Sequence, residues 1–369
     1  MAYAPTSQAL TAPKQSRDGA AKVLRLGLLG LGYWGPHYAR LAAELAGTQL
    51  VVACDLSQDA IELVRTRYPG VRTTRDPADV IQADDVDAVV VSTPTSTHFS
   101  LTLAALESGK HVLCEKPLAM TTRECDELID AAEKADRVLA VGHTFIFNPG
   151  IRMMRELIAD GEVGRVLYCN TVRTGLGPIR SDVNALWDLA PHDLSILLYL
   201  IDNDPVRTLA TGQAFLREGF EDVAYVHVDF EGGAMGTAHV SWLNPHKVRR
   251  VTVVGDRRMI VFDDLEPVEK VKVFDRGASY DAPSDEGRGA DFGYFKALIR
   301  DGDIYAPKVP GTEPLRAQLE HFAECCLRGA EPETDGAAAR RVVSLLETAT
   351  TSLRAGGMPM PVESAHLRR

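Results

Sequence analysis

The sequence predicts two domains of different build. Residues 22–143 read as a doubly wound parallel α/β sheet, and residues 144–369 as an α+β unit around a large, open, mostly antiparallel sheet. Three observations carry this. Short apolar runs alternate with helical patterns as far as residue 141. A Gly30-x-Gly32-x-x-Gly35 turn joins the first such run to the first helical stretch. From residue 165 onward strand-like runs follow one another through turns such as Glu231-Gly232-Gly233 and Gly255-Asp256.

Composition sets the bounds. The chain has 369 residues, 45% apolar and 25% charged, enough for a sizeable core in two domains. A formal net charge of −11 without a local Lys/Arg cluster argues against nucleic-acid or anionic-membrane partners. No run reaches the ~18 to 20 apolar residues of a membrane span. The six cysteines (Cys54, Cys114, Cys125, Cys169, Cys325, Cys326) lack paired metal-ligand spacing, so no metal site is expected and buried free thiols in a cytoplasmic protein are. Residues 1–21 lack the apolar core of a signal peptide and are expected to be a disordered tail.

Residues 22–29 (KVLRLGLL) form the first strand and 36–46 the first helix. The context gives the glycines their meaning. Gly30 permits the turn, Gly32 lets backbone approach a pyrophosphate, and Gly35 lets helix and strand close up, with Tyr33 and Trp34 on the same turn. The helix N-terminus then offers free N–H groups to phosphate. A second strand, 49–54, ends in Asp55, 20 positions after Gly35, where a carboxylate can accept from a ribose diol. This is the Rossmann arrangement, and Asp55 favours NAD over NADP, whose 2'-phosphate would meet a like charge. Asp55 could also serve as the cap of the helix that follows.

A helix over 61–67, a buried strand over 86–91 and the polar loop Ser92 to His98 come next. Thr93, Pro94, Thr95 and His98 are placed along the cofactor groove. After a helix over 98–108, the strand 110–114 runs into Glu115-Lys116-Pro117, a lysine held on a stiff turn at the sheet edge where α/β proteins bind ligands. A helix over 121–135 and a strand over 138–141 complete this domain. His143 and Asn148 follow and should lie near the interdomain cleft.

In the second domain a helix over 149–160 precedes strands over 165–174, 208–215, 224–230, 236–242, 249–254 and 258–262. Between the first two lies a helix over 188–201. Pro191 suggests that this helix starts near it and leaves Asp188 on the approach loop. Residues 283–289 (PSDEGRG) read as a mobile loop, and helices over 315–327 and 336–355 end the chain on either domain.

Together the glycine turn with Asp55, Thr93-Pro94 with His98, Gly109-Lys110-His111-Val112-Leu113-Cys114-Glu115-Lys116-Pro117 and Asp188-x-x-x-His192 resemble the Gfo/Idh/MocA family of NAD(P)-dependent oxidoreductases. The resemblance covers residues 23 to about 355. It implies that Lys116, Asp188 and His192 meet the substrate hydroxyl beside the nicotinamide. The residue types suit the chemistry: imidazole is a general base near neutral pH, and an ammonium stabilises a developing alkoxide. Glu115 is left with two uses, orienting Lys116 or contacting the cofactor. Arg173, Arg180 and Asn184 are candidates for a polyhydroxylated or phosphorylated substrate. Trp34-Gly35-Pro36 and the stretch 184–193 look most like the sugar-nucleotide branch, which implies C3 of a nucleotide sugar as the reacting carbon. A free sugar or inositol is the second choice. A non-catalytic NAD-sensing regulator, or a reaction that reuses its bound cofactor without net redox, are the rivals. The resemblance also implies a homodimer or homotetramer formed through the second sheet.

Overall fold

The computed structural model describes residues 22–280 and 297–363; the tail 1–21 and the loop 283–289 lie outside them. In the first domain β1 (Leu24–Leu29), β2 (Thr48–Cys54), β3 (Arg72–Thr74), β4 (Ala88–Val91), β5 (His111–Cys114) and β6 (Leu139–Val141) pair in parallel, in the order β3-β2-β1-β4-β5-β6. The order reverses between β1 and β4, so the Gly30 turn and the Ser92 loop face each other across the crevice that α/β sheets use for ligands. Central strands β1 (LRLGLL) and β4 (AVVV) are almost wholly buried, as a sheet covered on both faces requires.

The connecting helices are α1 (Gly35–Glu44), α2 (Gln58–Arg67), the short α3 (Ala78–Ile81), α4 (His98–Glu107) and α5 (Thr122–Ala135). Local chemistry fixes their starts: Pro36 occupies the first turn of α1, and Thr121 with Glu124 forms a capping box on α5. Ser57, not Asp55, caps α2.

The second domain enters through α6 (Pro149–Ala159) and β7 (Val166–Leu176), then α7 (Ala185–Leu200). Next come β8 (Pro205–Gln213), β9 (Val223–Phe230), β10 (Met235–Ser241), β11 (Leu243–Gly255), β12 (Met259–Asp263) and β13 (Val271–Phe274). A separate hairpin, β14 (Gly277–Tyr280) with β15 (Ala297–Arg300), and the strand β16 (Ile304–Tyr305) precede α8 (Pro314–Arg328), α9 (Gly336–Arg354) and β17 (Met360–Pro361). Nine strands form one sheet, β16-β13-β12-β11-β7-β10-β9-β8-β17, antiparallel except for the parallel β7–β10 pair.

Helix α7 lies on the inner face of that sheet, and its Leu194, Ile196 and Leu197 join Val226, Val240 and Val251 in a core continuous with Val91 and Val141 of the first domain. The last two helices divide between the domains. Leu315, Leu319 and Phe322 of α8 pack with Leu26, Tyr38 and Leu41 of the first domain, whereas α9 sits among α5, α7 and β8.

One expected boundary is corrected. Helix α7 begins at Ala185, capped by the Asn184 side chain on the Trp187 N–H at 3.0 Å, and Asp188 lies inside its first turns with its own N–H on the Asn184 carbonyl. Pro191 is accommodated in the helix. Its direct conformational restriction reaches only Ala190, and the buried face of α7 outweighs one lost hydrogen bond.

Candidate active site

The glycine turn has the geometry of a phosphate cradle. Gly30 has φ +92°, and a Cβ there would lie 2.6 Å from the Ser92 carbonyl oxygen; one on Gly35 would strike the Gly30 carbonyl. A Cβ on Gly32 would meet nothing within 4 Å, so that backbone faces open space. The N–H groups of Gly32, Tyr33 and Trp34 have no acceptor among the described residues. Asp55 accepts from Leu31 N at 2.6 Å and Ser57 N at 2.7 Å, one on each oxygen, which ties the end of β2 to the turn. Each oxygen keeps a further lone pair for a ribose hydroxyl. Tyr33 is 77% exposed and meets Trp34 edge-on at 5.3 Å. These residues fit a dinucleotide.

Across the crevice, Thr97 Oγ1 donates to Thr93 Oγ1 at 2.7 Å, and Thr95 is buried in the same turn after Pro94. His98 has a different station from the one expected. It is buried, with Nδ1 2.7 Å from the Pro117 carbonyl and Nε2 3.0 Å from that of Thr93, so it braces the two loops from behind. Burial holds its pKa below the ordinary histidine value.

The Lys116–Pro117 peptide is cis. Lys116 Nζ donates to the main-chain oxygen of Asp188 at 2.7 Å and lies 3.7 Å from its Oδ1. Burial lowers the lysine pKa, with Asp188 and Glu115 opposing. Glu115 turns inward: Tyr38 donates to its Oε1 at 2.7 Å, Gln318 Nε2 of α8 donates to the Tyr38 hydroxyl at 2.9 Å, and Thr144 donates to Gln318 Oε1 at 2.7 Å. Burial raises the Glu115 pKa. Of its two possible uses, the geometry favours orienting Lys116, whose N–H it accepts at 3.2 Å.

The second domain closes the site. Asp188 also accepts from Trp242 Nε1 at 3.1 Å and from Arg180 Nη1 at 3.5 Å, while Arg180 pairs mainly with Asp182. One turn on, His192 lies edge-on to Phe145 at 5.1 Å, and its buried Nδ1 has no protein partner. Burial, then the charges of Lys116 and Arg173, push its pKa well below the ordinary value, so it is neutral. Both ring nitrogens of buried His143 also lack partners, and burial lowers its pKa to about 3. Arg173 is buried, donates Nε to Asp193 at 2.7 Å and lies 4.1 Å over the Phe145 ring. Buried polar atoms without partners are costly in a protein core and mark where hydroxyl groups can be received.

Lys116, Asp188, His192, His143, Arg173 and Arg180 therefore converge. Two expected substrate residues have structural work instead. Asn184 caps α7 and donates to Glu221, and Asn148 accepts from Gly150 N while donating to Asp264 at 3.3 Å. Sequence reasoning missed Tyr38, Phe145, Asp193, Trp242, Arg249 and Gln318. Of these, Asp193 carries a signal, as a charge next to His192 on a helix otherwise apolar at 189–200; Arg249 shows itself only through strand register.

Comparison with known proteins gives the family and the fold. Residues 24–143 match the GFO_IDH_MocA family, described as an oxidoreductase family with an NAD-binding Rossmann fold, and residues 151–261 match the GFO/IDH/MocA C-terminal domain. The chain is 29% identical over 325 residues to UDP-N-acetylglucosamine 3-dehydrogenase of Acidithiobacillus ferrooxidans, covering 87% of this chain and 94% of that protein. A solved structure of that enzyme superposes with a TM-score of 0.75 at 25% identity, covering 90% of this chain and 98% of the other. The scyllo-inositol 2-dehydrogenase (NAD(+)) of Bacillus subtilis is 26% identical over 353 residues, covering 92% and 96% of the two chains.

Proposed function

Because the chain belongs to the Gfo/Idh/MocA oxidoreductases, whose named relatives act on CH–OH groups, we propose that it moves a hydride between NAD and the C3 carbinol of a nucleotide-linked sugar. The observation that carries the catalytic part is the meeting of Lys116 Nζ with Asp188 beside the unpartnered His192 Nδ1. NAD, when bound, supplies the hydride acceptor. His192, kept neutral by burial and two nearby cations, takes the hydroxyl proton. Lys116, fixed by the Asp188 carbonyl, stabilises the oxyanion left behind. Asp188, held by Trp242 and Arg180, positions that lysine. The unpartnered ring nitrogens of His143 and the Arg173 Nη1 support further polar contacts with the substrate.

The likeness to the UDP-N-acetylglucosamine enzyme over 87% of the chain supports a nucleotide sugar, and the likeness to the inositol enzyme over 92% supports a free polyol as the second reading. Asp55 beside the glycine turn supports NAD over NADP. The test is reduced-nicotinamide absorbance with UDP-N-acetylglucosamine and with scyllo-inositol, for the wild type and Lys116→Met. Turnover should fall about 10²- to 10³-fold in the variant while NAD still binds. Equal turnover in the two proteins, or tighter binding of NADP than NAD, would refute the respective assignments.

The outer face of the second sheet supports assembly through that face. Met235, Tyr168, Val254 and Met259 lie in one cross-strand row, and two rows further on the same face Tyr225 stacks on His239 at 4.2 Å. Light scattering should give a dimer or tetramer, and a monomer at micromolar concentration would overturn this reading.

A further inference from the structure

Two arginines face each other across strands β7 and β11. Arg173 and Arg249 are direct partners in the antiparallel register, so their side chains share one face, the inner one that carries α7. Arg173 is fixed: 3% exposed, Nε on Asp193, guanidinium over Phe145. Its Nη1 is nevertheless buried without a hydrogen-bond partner. Arg249 is half-buried, and its guanidinium has neither a hydrogen bond nor an ion pair among the described residues.

The surrounding acids are engaged elsewhere. Asp193 holds Arg173; Asp188 holds Lys116, Arg180 and Trp242; Asp264 accepts from Asn148 and lies 3.9 Å from Lys270 Nζ. Two like charges opposite one another on a sheet are destabilising by themselves. Burial and the Arg173 charge accordingly hold the Arg249 pKa below its ordinary value. The Arg249 charge also adds to the depression of the His192 pKa, after burial, Lys116 and Arg173. The pair therefore lies on the sheet face that carries His192 on α7. Guanidinium groups present forked donors whose geometry matches phosphate and carboxylate oxygens.

We propose that Arg249 and the free Nη1 of Arg173 together bind an oxyanion of the substrate, a sugar-linked phosphate or a sugar carboxylate, and so select anionic sugars over neutral polyols. This rests on the sugar-dehydrogenase reading and narrows its substrate class. Binding of an oxyanion replaces two facing like charges by a charge-assisted network, which gives the anionic substrate its advantage.

The test titrates NAD-loaded protein calorimetrically with two matched pairs, UDP-glucose against glucose for the diphosphate and glucuronate against glucose for the carboxylate. At least one anionic member should bind about ten- to a hundredfold tighter than glucose, and the responsive pair identifies the source. Arg249→Met should collapse that ratio toward one, Arg249→Lys should restore part of it, and thermal melting should report folded protein in both. No preference in either pair, or a ratio unchanged in Arg249→Met, would overturn the proposal. So would a loss of NAD affinity in Arg249→Met with the ratio intact, which would assign the residue to the cofactor. Failure of the dehydrogenase reading is separately visible as anion preference without reduced nicotinamide from any of the sugars.

Discussion

The Arg173–Asp193 pair offers a quantitative test of how the second domain supports the site. Both side chains are almost fully buried, 4% and 2% exposed, and joined at 2.7 Å. Removing one member leaves a desolvated charge without its counter-ion, which costs about 3–5 kcal/mol. Removing both leaves an apolar site, which is often near neutral. Arg173→Met and Asp193→Leu should therefore each lower stability by about 3–5 kcal/mol, while the double variant should lose clearly less than their sum. Urea unfolding followed by tryptophan fluorescence reads this, because Trp187 is buried on α7, which carries Asp193, and buried Trp242 follows β10, the neighbour of the Arg173 strand.

Protonation adds a second handle. Burial raises the Asp193 pKa and Arg173 pulls it down. In Arg173→Met the opposing charge is gone, so the folded-state pKa rises further above the unfolded value. The unfolded chain then releases its proton first, and stability is lost as pH rises. The deficit of Arg173→Met against wild type should accordingly be larger at pH 8 than at pH 5. Additive single losses, or a deficit that does not vary with pH, would refute the reasoning.

His143 gives the opposite pH dependence. Its folded pKa of about 3 lies below the ordinary 6.5, so its contribution is complete above about pH 6.5 and is lost as pH falls. Between pH 7 and pH 5 that loss is about 2 kcal/mol, and His143→Gln should lack this component in paired urea titrations; an unchanged slope would refute it. Tyr38→Phe leaves a buried Glu115 oxygen and a Gln318 donor short of a partner, at about 1–3 kcal/mol each. It should also lower turnover more than it raises KM, since Glu115 orients Lys116, and a pure KM effect would count against that role.

The sequence was most readable where function depends on residues close together in the chain. The Gly30 turn, Asp55 and Glu115-Lys116-Pro117 need only a strand end and a few following residues, and each lies at such an end. The start of α7 is not legible from Pro191, because the helix runs through that proline. Pro191 restrains one neighbour, while Asn184 starts the helix by capping a backbone N–H. The same amide groups that suggested substrate contacts at Asn184 and Asn148 are consumed as caps, a competition that residue type alone does not resolve. Short elements such as β3, α3 and β17 carry too few residues to show a period.

Arg249 was invisible for a different reason. Its significance comes from standing opposite Arg173, 76 positions away, and that register is set by the pairing of whole strands. The same holds for Gln318, which reaches Tyr38, and through it Glu115, only because α8 returns to the first domain. The site is thus assembled from both ends. The first domain supplies Lys116 and the glycine turn, the second supplies Asp188, whose main-chain oxygen holds Lys116, together with His192, and α8 anchors Tyr38 and through it the carboxylate behind the lysine. A change in α8 at Gln318 should therefore be felt through Tyr38 and Glu115 at Lys116, the proposed oxyanion stabiliser, along a chain of hydrogen bonds that bypasses the second sheet.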